Sequence, residues 1–112
     1  MKRTFLGEFE EVILLTVGIL GEHAYAVSVT QELENKTGRV VSFSSVHTTL
    51  QRLEEKNFLS SRMAGATAER GGRRKRFFEV TALGRKALIE VQQTRQDLWN
   101  ALPPQMLELM GA

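Results

Sequence analysis

The 112-residue chain has no cysteine, one tryptophan, one tyrosine, two histidines and one aspartate. Without cysteine there is no disulfide framework, no thiolate nucleophile and no thiolate metal ligand; a reducing cytoplasm is the expected compartment. His23 and His47 stand 24 positions apart with no acidic ligand pattern around them, so neither a metal site nor a cofactor is expected. Asp97 lies on a predicted helix surface, and no nucleophile–base pairing can be assembled. This argues against an enzyme. Long apolar runs are missing too. The longest, Val12 to Leu20, falls far short of the ~20 residues that span a bilayer. Lys2 and Arg3 precede it as in a signal peptide, but Glu8, Glu10 and Glu11 interrupt the stretch and no small-residue cleavage site follows. A buried helix is the better reading.

What is present is an ordinary globular composition in a single-domain length, with a net charge of only +2. The charge is unevenly spread. Residues 70–76 hold Arg70, Arg73, Arg74, Lys75 and Arg76 beside Gly71 and Gly72, so the remainder of the chain sums to −3. The basic character is a local device.

The apolar periodicity predicts a first helix over residues 7–20, stopped at Gly21, with few positions left for solvent. A second helix is expected from about Ala24 to Thr37, where Tyr25, Val29 and Leu33 share a face and Gly38 follows as a C-terminal glycine. The β-branched segment "RVVSF" has room for a minimal strand. Ser44 or Ser45 can cap a third helix running to about Asn57, with Val46, Leu50 and Leu53 as a narrow apolar stripe. Ser44, Thr48, Gln51, Arg52 and Glu55 fall on its opposite side, with His47 at the edge. "FLSSRMAGA" and "RRKRFFEVT" predict a β-hairpin, and Thr81 caps a last long helix that Pro103 and Pro104 end. "QMLELMGA" adds one more apolar turn.

Helix, helix, short strand, helix, hairpin, helix is an α+β, mostly helical order: a winged helix-turn-helix over residues 1–81 and a C-terminal dimerisation helix over 82–112 within one domain. In that arrangement the third helix enters the major groove and the hairpin tip lies on the flanking backbone. The glycines let the tip turn and approach closely, and Arg70, Arg73, Arg74, Lys75 and Arg76 reach phosphates. The competing reading is a merely solvated tip. Ser44, Ser45, Thr48 and Thr49 are short donors suited to phosphates near a helix N-terminus; Ser44 is equally well explained as a cap. Gln51 and Arg52 have base-reading geometry, adenine for Gln and guanine for Arg; Arg52 could instead pair with Glu54 or Glu55. On the last helix, Leu88, Val91, Leu98 and Leu102 form a stripe that Arg95 breaks once. Nothing in so small a chain is left to cover it, which predicts a tight homodimer. Trp99 on the same helix is either interface packing or the wall of a site for a small planar hydrophobic effector.

"LGEFEEVILLTVGILGEHAYAVSVTQELENKTGR", "VSFSSVHTTLQRLEEKNFLSSR" and "ERGGRRKRFFEVTALGRKAL" together resemble the PadR family of bacterial transcriptional regulators over roughly residues 5–90. The resemblance implies a winged-helix repressor that dimerises through its C-terminal helix and binds an inverted-repeat operator on double-stranded DNA. It also implies that some relatives release DNA on binding phenolic or other planar compounds. This chain departs from the pattern in two places. His47 stands where members commonly have a tyrosine facing phosphate, and Phe77-Phe78 replaces a pair that usually carries a hydroxyl. Its C-terminal part, one long helix and a remnant, implies no large effector domain. The rival function is a winged-helix protein-interaction module whose basic hairpin holds an acidic partner.

Overall fold

Gly7 donates its N–H to the Glu10 carboxylate at 2.9 Å, and this bond opens the first helix, α1 (Glu8–Leu20). The computed structural model describes residues 5–64 and 74–109. Ile13, Leu14 and Val17 of α1 are fully buried. A 3₁₀ turn (Gly21–His23) leads to α2 (Ala26–Thr37), which begins where the Tyr25 N–H meets Ser28 Oγ at 3.0 Å. The α2 helix therefore starts two residues later than the periodicity suggests. It ends at Gly38, whose left-handed φ of 73° lets its N–H reach the Glu34 carbonyl.

The third helix, α3 (Phe43–Glu55), corrects two expectations. Its cap is Ser42, whose Oγ accepts from the Ser45 N–H at 3.1 Å; Ser44 and Ser45 lie inside the first turn. Residues 39–43 also form no strand. Phe43 is taken into the helix, and the free edge of β2 is met instead by Ala24, whose carbonyl accepts from the Phe78 N–H at 2.8 Å. The helix stops two residues before Asn57. Asn57 takes a left-handed φ of 66°, the Phe58 N–H reaches back to Leu53 O at 2.9 Å and Asn57 N–H to Glu54 O at 2.9 Å. This double bond pattern is a Schellman close, with buried Phe58 and Leu53 at its two ends.

The hairpin pairs β1 (Leu59–Ala64) with β2 (Lys75–Val80) antiparallel, Leu59 opposite Val80 and Ala64 opposite Lys75. Thr81 caps α4 (Ala82–Asn100) as expected, its Oγ1 accepting from Gly84 N–H at 2.9 Å. A short α5 (Pro104–Leu109) follows the proline pair. Val29, Leu33, Val46, Leu50, Leu53, Leu59 and Phe78 complete one core with α1, and Ala87 docks the start of α4 onto it. Beyond Val91, every α4 residue from Gln92 to Asn100 is exposed.

Candidate nucleic-acid interface

The inner side of α3 is held by Val46, Leu50 and Leu53, all fully buried, so the side chains opposite them must face solvent. Ser44, Thr48, Gln51, Arg52 and Glu55, expected on that side, are all exposed, and so are Ser45 and His47. Thr49 is not. It is 5% exposed and stands three residues from Val46 on the flank of the apolar stripe. The outward strip is therefore Ser44, Thr48, Gln51 and Glu55. His47 flanks it on one side, Ser45 and Arg52 on the other.

Arg52 pairs with neither Glu54 nor Glu55. It lines shallow grooves with Phe9 and Thr49, where α3 meets the beginning of α1. Its charge also acts on Glu10. Burial pushes the Glu10 carboxyl up, but the Lys56 ammonium, the Gly7 N–H and Arg52 together outweigh this and hold it below the ordinary carboxylate value. Glu54 is engaged differently. Ser61 Oγ donates to Glu54 Oε2 at 2.5 Å and accepts from Arg76 Nη1 at 2.9 Å. A side-chain chain thus runs from β2 through β1 to α3. Periodicity and spacing give no sign of it, because its members are far apart in sequence.

The described part of the basic segment is exposed and ordered by its own contacts. Arg74 Nη2 donates to the Met63 carbonyl at 3.2 Å. Lys75 Nζ sits 4.4 Å over the Tyr25 ring, and the Arg62 guanidinium 5.4 Å over Phe77. Phe77 meets Tyr25 edge-on, while Phe78 is buried in the core. The two aromatics thus serve opposite faces of the strand. Arg70, Gly71, Gly72 and Arg73 lie outside the described residues.

On α4, the predicted stripe is divided. Leu88 and Val91 are half-buried against the chain's own core, so something does cover them. Arg95 continues that inward face, its Nη2 2.7 Å from Glu11 Oε1 on α1, and the bond raises its already high pKa. Beyond the core, Leu98 is 67% and Trp99 52% exposed, with Leu102 intermediate. Sequence reasoning missed Ile89, 61% exposed, beside exposed Leu15 of α1 in an open apolar groove. No helix among the described residues is long and apolar enough to cross a membrane.

The model of the Transcriptional regulator PadR-like family matches residues 15–90, more than half of the chain. No curated protein sequence matches. A PadR-like transcription factor from Bacteroides fragilis superposes with a TM-score of 0.69 at 22% identity, covering 82% of this chain and 84% of that one. A PadR-family regulator from Eggerthella lenta gives 0.67 at 21%, covering 83% and 80%. Bacillus subtilis PadR in complex with operator DNA gives 0.63 at 17%, covering 76% of this chain and 46% of that longer one. The fold is thus the mostly helical winged helix-turn-helix expected, and the matched family is one of transcriptional regulators, not enzymes. By its match over residues 15–90 the chain belongs to the PadR-like family of transcriptional regulators.

Proposed function

We propose that the chain acts as a sequence-specific DNA-binding regulator, a homodimeric cytoplasmic repressor on an inverted-repeat operator. The observation that carries this is the side-chain link from Arg76 through Ser61 to Glu54. It ties Arg76 of the basic strand to α3, whose outward strip is polar and exposed. A duplex offers base edges to a polar strip and phosphates to cations.

In this reading Ser44, Ser45 and Thr48 donate to phosphates near the start of α3, where the helix dipole also favours an anion. His47 adds an N–H beside them. Gln51, central in the outward strip, reads a base edge, adenine by preference. Arg52, set toward α1, contacts either a phosphate or a guanine at the margin of the helix. Arg70, Gly71, Gly72, Arg73, Arg74, Lys75 and Arg76 form the wing, whose cations neutralise flanking phosphates and release counterions. Exposed Leu98, Trp99 and Ile89, with Leu102 and the outer edges of Leu88 and Val91, form the dimer contact with α1 in support. A two-fold dimer places two α3 helices for half-sites about one helical turn apart.

Selection of bound fragments from random DNA by the purified protein tests this. The expected product is a palindrome whose affinity falls steeply with salt. Retention of an acidic protein partner with no retardation of any DNA would instead identify an interaction module.

A further inference from the structure

Phe43 belongs neither to the core nor to the hairpin. It is the first residue of α3, directly after the Ser42 cap. The other large apolar side chains of that helix, Val46, Leu50 and Leu53, are fully buried, yet Phe43 is 51% exposed. Its ring stacks on exposed His47 one turn further along, 6.2 Å between centroids and 10° between planes. Single exposed hydrophobic residues are common, so exposure by itself decides nothing. Position decides. The N-terminal residues of a helix lying in the major groove are the ones that reach base edges. The one apolar group on those edges is the C5 methyl of thymine, and a phenyl ring is a suitable partner for it. The surrounding outward side chains, Ser44, Thr48 and Gln51, are polar and suit phosphates and hydrogen-bonding edges. Phe43 is the one exposed side chain on α3 with no polar atom, and the His47 ring packed against it restricts where it can swing.

We infer that Phe43 is a specificity-determining residue that reads a thymine methyl group in the major groove, steadied by its stack on His47. The inference rests on the DNA-binding reading above and adds a base to it: each half-site carries a thymine under the start of α3.

Replacing thymine with deoxyuridine removes only that methyl. In the selected operator, each thymine is replaced in turn and binding isotherms are measured for the wild-type protein. One thymine per half-site should respond, with affinity falling about fourfold, the worth of one buried methyl group. Phe43→Leu should keep this response. Phe43→Ala, checked for folding by its thermal melt, should bind thymine and deoxyuridine operators alike. If wild-type protein is indifferent to deoxyuridine everywhere, the inference is overturned without recourse to any variant, and so it is if Phe43→Ala retains the full response. In both cases the DNA-binding reading survives. Failure of the wild-type protein to select any DNA would remove that reading and this inference together.

Discussion

Lys56 Nζ lies 2.8 and 2.9 Å from the two carboxylate oxygens of Glu10, joining the C-terminal end of α3 to the first turn of α1. Glu10 is buried and also accepts from Gly7, so one carboxylate caps α1 and fixes the orientation of α3. Its folded pKa is depressed. A depressed carboxylate contributes stability that is complete above its unfolded pKa and is lost as pH falls through the folded value. Glu10→Gln should therefore cost about 1–3 kcal/mol at pH 7. The gap to wild type should close as the pH falls below the ordinary carboxylate range. Urea denaturation of both proteins at pH 7 and pH 3 checks the sign.

Gly84 is the second fixed point. A Cβ built there would collide with the Phe58 carbonyl oxygen, the same oxygen that accepts from Thr81 N–H at 3.0 Å. The beginning of α4 is pressed against the turn between α3 and β1, and there is no room for a methyl. Gly84→Ala should destabilise by about 1–3 kcal/mol, the usual cost of overpacking, despite alanine's better helix propensity. A thermal melt unchanged or raised by the substitution would contradict the packing described.

Much of this is legible in the sequence, and the differences have local causes. The stripe Val46, Leu50 and Leu53 reveals α3 and its inner side, because the three recur at helical spacing and all are fully buried. The start of α3 is harder to read because "SFSS" offers three serines, and only the geometry shows that the Ser42 hydroxyl reaches the Ser45 N–H. Thr49 reads as polar, although three residues from Val46 it shares the buried flank. Leu88 and Val91 look uncovered because sequence spacing cannot show that α1 lies alongside; the Glu11–Arg95 pair, 84 positions apart, is invisible for the same reason.

The outer part of α4 predicts a dimer. Leu98→Glu combined with Ile89→Glu should convert a dimer at micromolar concentration into a folded monomer, because both residues are exposed and outside the core. Sedimentation measures this, and a stable wild-type monomer would defeat it. Trp99 fluorescence should shift to the red in the monomeric variant. Quenching of the wild-type emission by planar phenolic compounds, absent from the variant, would assign Trp99 to an effector site; no response would leave it as interface packing.

The wing and the helix should fail in different ways. Arg73→Ala and Arg74→Ala should weaken binding to operator and random DNA alike, and the salt slope should shrink by about one unit for each phosphate no longer neutralised. Arg76 is held by Ser61, itself bonded to Glu54. Ser61→Ala should therefore weaken operator binding without removing any charge from the protein.

In the proposed function α3 reads sequence while the wing supplies charge. This division of roles is tested most directly by binding isotherms of wild type, Gln51→Ala and Arg73→Ala/Arg74→Ala on the selected operator and on random DNA, at several salt concentrations. Gln51→Ala should lose ~1–3 kcal/mol on the operator and far less on random DNA, so that its specificity ratio collapses. The wing variant should keep that ratio and show a shallower salt slope. A wing variant that loses specificity, beside a Gln51→Ala protein that weakens uniformly on both DNAs, would reverse these roles and assign the reading of sequence to the wing.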